Sequence, residues 1–119
     1  MFCKLVRSDE TTAEIEQVLL RTKFDRYFAA GEPSREDFLT IYKDAAALEL
    51  VTEIATDCSD PKDNKFLSLA LSVKADFLVT GDRKHLISMH PYRGIPIVSE
   101  ADFVQLMLKD LVLSDAIKV

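Results

Sequence analysis

Short apolar runs alternate along this chain with longer stretches whose apolar residues recur every three to four positions. Phe2 to Arg7 predicts a first strand. Ser8 follows as an N-cap, with Asp9 and Glu10 in the first turn, where acids complement the helix dipole. Ile15, Val18 and Leu19 then form one stripe of a helix running to about Thr22. Pro33-Ser34 with Asp37 predicts a second helix through a variant of the capping box, its inward residues being Phe38, Ile41, Tyr42, Ala45 and Leu48. Leu50 to Thr56 is β-branched and predicts a strand.

Asp60 caps a third helix with Pro61 at its first position, and Phe66, Leu67, Ala70 and Leu71 face inward. Phe77-Leu78-Val79, wholly apolar, predicts a strand covered on both faces and ends at Gly81-Asp82. A basic turn from Arg83 to Ile87, a loop with Pro91 and Gly94, and a strand from Ile95 to Val98 follow. Ser99 caps a last helix carrying Phe103, Leu106 and Met107. Strands alternating with helices imply an α/β fold, three layers with a mostly parallel sheet, as a single domain over residues 1–119.

Composition narrows the class. With 119 residues, 48% hydrophobic and 29% charged, the chain matches a globular domain with an ordinary core. No apolar run reaches membrane-spanning length and no signal pattern opens the chain, so no membrane association is expected. Cys3 and Cys58 are too few and too far apart for a disulfide scaffold or a zinc site, so a reduced, cytoplasmic protein is expected. The net charge of −5 leaves two readings. Either nucleic acid is not a ligand, since such binding rests on neutralising phosphates, or the excess acid gathers in one pocket where a cation reverses its sign.

Four acids stand out by position: Glu14, Asp60, Asp63 and Asp82. Asp82 directly follows an apolar strand, at the sheet edge where ligand sites lie, or else it caps the next turn. Asp63 stands three and four residues before Phe66 and Leu67, on the apolar side of its helix, where a carboxylate is costly without a partner such as a cation. Its ordinary alternative is stabilising the helix dipole. Glu14 flanks an apolar stripe, and Asp60 reads first as the cap. Hard oxygen donors of this kind suit magnesium or manganese. His85 and His90 stand apart from the acids in pattern and read as surface or phosphate-contacting residues.

The segments Cys58-Ser59-Asp60-Pro61-Lys62-Asp63-Asn64-Lys65-Phe66-Leu67 and Ala75-Asp76-Phe77-Leu78-Val79-Thr80-Gly81-Asp82 resemble the PIN family, with its "DPKDN-x-x-L-x-x-A" helix start and "AD-x-L-V-T-G-D" strand end. Ser8 to Glu14 resembles the family's "S-E-x-x-x-A-E" helix, and Gly94 to Ser99 its last strand. The likeness runs over residues 4 to 107. It implies a PIN-like three-layer α/β/α fold and a divalent-metal-dependent endoribonuclease acting on single-stranded RNA, of the kind found as the toxin of a toxin–antitoxin pair. By position it makes Glu14, Asp63 and Asp82 catalytic and metal-site carboxylates for Mg2+ or Mn2+. Asp60 is a weaker, mainly structural member, and Asn64 supports the pocket. An antitoxin protein is the implied partner.

Against the family pattern, the opening strand with its "D-T-N" aspartate has no counterpart, so an N-terminally truncated PIN fold with a weakened site is expected. A second chain, in a homodimer or higher oligomer, or the apolar tail over 108–119, would then fill the sheet. Lys62, Lys65, Arg83 and Lys84, with His85 and Arg93, would rim the acidic pocket and bind substrate phosphates, unless they are solvated surface charge. Arg21, Lys23 and Arg26, near Phe24 and Tyr27, form a separate basic-aromatic patch. Two alternatives remain. One is a degenerate, inactive PIN module that binds RNA or protein; the other is a receiver-like signalling domain, which lacks its early acid pair here.

Overall fold

The computed structural model describes residues 4–28, 33–81 and 84–118, with side chains through Lys109. Phe2, Asp82, Arg83 and the side chains of Leu111, Val112, Leu113 and Ile117 lie outside the described residues. The contacts divide the chain into two units, one over Lys4–Leu50 and one from Val51 onward.

In the first unit, β1 (Val6–Arg7) leads into α1 (Asp9–Leu19). Ser8 takes the Thr11 amide on its hydroxyl while the Thr11 hydroxyl takes the Ser8 amide, a complete capping box. A short turn passes into α2 (Asp25–Phe28), and α3 (Arg35–Ala45) opens on a second capping box from Ser34 and Asp37. β2 (Ala47–Leu48) then pairs parallel with β1, Val6 opposite Ala47 and Arg7 opposite Leu48. Arg7 reinforces that pairing by donating to the Ala46 carbonyl at 3.3 Å and to the Thr12 hydroxyl at 3.0 Å. This unit buries the hydroxyls of Ser8, Thr11 and Thr12, and the expected stripe of Ile15, Val18 and Leu19 is half-buried. Phe38, Ala45 and Leu48, expected inward, are exposed, and Ile41 is 61% exposed; of that set only Tyr42 is partly covered.

The second unit holds α4 (Asn64–Val73), β3 (Leu78–Val79), β4 (Ile97–Val98) and α5 (Glu100–Lys118). Leu67, fully buried, centres a core with Ala55, Cys58, Leu86, Tyr92 and Ile97, against which Phe66, Leu71 and Leu78 pack. β3 and β4 pair parallel, Leu78 opposite Ile97 and Val79 opposite Val98, and Phe77 meets Phe103 of α5 edge-on at 5.7 Å. Val79 is 38% exposed, so β3 is not sheathed on both faces.

The strand expected over Leu50 to Thr56 does not form. Its backbone amides find partners elsewhere: Thr52 and Glu53 donate to the Ser72 hydroxyl, and Ala55 to that of Ser68. Two serines one helical turn apart on α4 thus replace a strand partner, since a chain segment needs its amides satisfied but not necessarily by a sheet. The fold is α/β with short parallel strand pairs, as anticipated. None of the helices among the described residues is long and apolar enough to cross a membrane.

Candidate active site

The helix start at Asp60 is built by one residue satisfying two amides. The Asp60 carboxylate accepts from the Lys62 amide at 3.1 Å, its carbonyl accepts from the Asp63 amide at 3.0 Å, and Pro61 has no amide to satisfy. A single 3-10 turn, Pro61–Asp63, passes directly into α4. With the cap supplied by Asp60, the half-buried Asp63 side chain makes no capping bond to α4. The two aspartates of this motif therefore divide their work: one holds the turn, and the other stands at the head of the helix without that duty.

Asn64 fixes the loop that leads in. Its Oδ1 accepts the amide of buried Cys58 at 2.9 Å, tying residues 57–60 to the first turn of α4. Asn64 thereby anchors the loop that carries Ser59 and Asp60. Ser59 shares a 3.0 Å hydrogen bond with His85 Nδ1. That bond joins the helix start to the turn at residues 84–86 within this unit. A left-handed cap at Lys74 (φ 52°) and a short link send the strand back along the helix it packs against, which sets the C-terminal end of β3 by the N-terminal end of α4.

β4 ends at the same edge. Glu100 opens α5 just past β4, and its Oε1 stands where a β-carbon on Gly81 would meet it at 2.8 Å. The Glu100 side chain thus lies against Gly81. Sequence reasoning passed over Glu100, while His85, expected as a surface or phosphate-contacting residue, bonds Ser59. Glu100 could have been found, since it follows its strand and cap as Asp82 follows its own.

The remaining sequence-derived residues fall as follows. Lys62 and Lys84 are exposed and Lys65 is half-buried, all near the two motifs in sequence. Arg93, expected on the rim, is exposed and paired: its guanidinium bonds Asp57 at 3.2 Å and lies over the Tyr92 ring. Asp57 also receives the Tyr92 hydroxyl. The Tyr92 pKa is raised first by burial and then by this bond to Asp57, with Arg93 opposing. His90 accepts the Ile97 amide on Nδ1 at 2.9 Å and so secures β4.

Glu14 belongs to the first unit, half-buried on α1 one turn past buried Thr11 and on the same face. Asp82 and Arg83 lie outside the described residues. Among the described residues no group of three His, Cys, Asp or Glu side chains is placed to hold a metal. The donor chemistry itself fits a hard divalent cation, since every expected ligand is a carboxylate.

A family profile described as the PIN domain matches residues 2–84, more than half of the chain. The chain belongs to the PIN-domain family. The match takes in the α1 segment with Glu14, the whole Asp60–Asn64 start and the Thr80-Gly81-Asp82 strand end. PIN domains are nuclease-type domains that generally use divalent metals, and the α/β architecture accords with that membership. No curated protein and no solved structure matches this PIN domain.

Proposed function

We propose that this PIN domain is a divalent-metal-dependent endoribonuclease acting on single-stranded RNA, the toxin of a toxin–antitoxin pair. The supporting observation is the division between Asp60 and Asp63 at a helix start that the Ser59–His85 bond ties to the turn after Asp82. Glu14, Asp63 and Asp82 would hold Mg2+ or Mn2+, with Asp60 reaching it at most through water. Such an ion lowers the pKa of a bound water and stabilises charge on a scissile phosphate. Within the chain, Asn64 fixes the approach loop, while Lys62, Lys65, Arg83 and Lys84 draw in the phosphate backbone. The antitoxin and a second copy of this chain are the proposed protein partners.

The test is cleavage of a labelled single-stranded RNA with magnesium or manganese, comparing the parent with Asp63→Asn. The expected loss is at least about 100-fold, because carboxylates of such a site act as a unit. Thermal unfolding of both proteins checks that the variant is folded. Equal cleavage by both proteins defeats the assignment. Induced expression should arrest growth with the parent and not with Asp63→Asn, which tests the toxin role separately.

A further inference from the structure

The segment from Leu20 to Phe28 carries three cations and three aromatic rings that the proposed site does not use. The structure sorts them into a platform. Arg35, from the first turn of α3, donates to the Leu19 carbonyl at the end of α1, pairs with Asp25 and lies 5.0 Å over the Phe28 ring. Phe28 in turn meets Phe38 of α3 edge-on at 6.3 Å. A four-residue helix is too short to stand by propensity alone, and these contacts hold α2 in place.

That anchoring consumes the segment's acid and leaves its other cations outward. Arg21, Lys23 and Arg26 are exposed, and among the described residues none of them makes an ion pair. Lys23 lies 5.1 Å over Phe24, and Arg26 lies 4.8 Å over the ring of Tyr27 while donating to its hydroxyl at 2.8 Å. Tyr27 remains 59% exposed, its ring 6.2 Å from that of Phe24, and Leu20 beside them is 67% exposed. In a chain of net charge −5 this is a local concentration of positive charge interleaved with rings. Exposed rings on which bases stack, set among cations that track a phosphate backbone, are the recurring means of holding single strands without reading sequence.

We infer that the surface formed by Arg21, Lys23, Arg26 and Tyr27 is a binding platform for single-stranded RNA. It rests on the nuclease reading for its biological sense but not for its test. The test measures binding with metal chelated, so that no cleavage intervenes.

A fluorescein-labelled twelve-nucleotide oligouridylate is titrated with the full chain in EDTA at 50 and 200 mM KCl, followed by anisotropy. Replacing Arg21, Lys23 and Arg26 together with glutamine should lower the slope of log affinity against log salt by about 2, from roughly 0.7 per neutralised phosphate. The parent should therefore lose roughly 20-fold more affinity than the variant between the two salts. Tyr27→Ala should weaken binding roughly 5- to 150-fold, the range for one stacked base, while Tyr27→Phe, which keeps the ring, should bind like the parent. Circular dichroism checks that each variant is folded; the tyrosine pair decides alone if the triple variant is not.

An unchanged slope and affinity in the triple variant overturns the platform. It would leave the surface for a protein partner, while cleavage by the parent would still uphold the nuclease. Equal losses in Tyr27→Ala and Tyr27→Phe overturn the stacking, since only the hydroxyl would then matter. A parent that binds no RNA yet cleaves it overturns the platform alone; one that does neither overturns both.

Discussion

Asn64 offers the sharpest test of how the candidate site is held. Its Oδ1 is the acceptor for the Cys58 amide at 2.9 Å, and Cys58 is buried, so water cannot readily replace it. Asn64→Leu keeps the size of the side chain and removes the acceptor. A buried amide left without a partner costs about 1 to 3 kcal/mol. For a domain of this length that corresponds to a fall in Tm of roughly 4–12 °C. Asn64→Asp keeps an oxygen in place and should recover most of the loss.

Amide hydrogen exchange gives the local readout. If Cys58 opens with its loop, its exchange should accelerate roughly 5- to 150-fold in Asn64→Leu, the same energy expressed as a rate. Amides near Leu67 in the core should change only as far as the global stability does. Because the loop carries Ser59 and Asp60, RNA cleavage should fall as well. Unaltered Tm and unaltered Cys58 exchange in Asn64→Leu would refute the anchoring role.

Two further changes probe the framework. Tyr92→Phe removes the hydroxyl bond to Asp57 and should lower Tm at neutral pH by a few degrees, about 1–2 kcal/mol. The raised Tyr92 pKa makes its contribution intact below about pH 10 and lost as pH rises through the folded-state value, so the gap between parent and variant should narrow in alkali. Urea unfolding followed at pH 7 and above pH 10 checks this, and a gap that widens would contradict it. Ser8→Ala deletes the cap of α1 and should lower stability by about 1 kcal/mol, read as a shift of the urea midpoint at constant slope.

Much of this fold could be read from residues that act locally. The caps at Ser8, Ser34, Asp60 and Ser99 are where the sequence places them, because a cap depends on three or four neighbouring residues. What failed depends on partners distant in the chain. β-branched residues from Leu50 to Thr56 suggested a strand, but nothing in that segment announces that Ser68 and Ser72 will take its amides. The apolar positions of α3 follow a helical period, yet period alone does not say whether a neighbour covers them, and Ile41 stands open.

The candidate site divides in the same way. Asp60 and Asp63 were legible as a pair, and the α4–β3 connection brings their turn towards the end of β3. The approach of Glu100 to Gly81 and the bond of Ser59 to His85 are tertiary facts with no local signature. The pairing of Arg93 with Asp57 is likewise set by the fold and not by neighbours in sequence.

The double service of Asp60 separates shape from charge at this helix start. Serine or asparagine at that position could still receive the Lys62 amide, so the local negative charge can be reduced by one without letting the turn unwind. An engineer could thus adjust the attraction of this region for cations, and its repulsion of RNA, as a dial turned independently of the scaffold. Few acidic clusters permit that, since in most of them the same carboxylate is both the hinge pin and the bait.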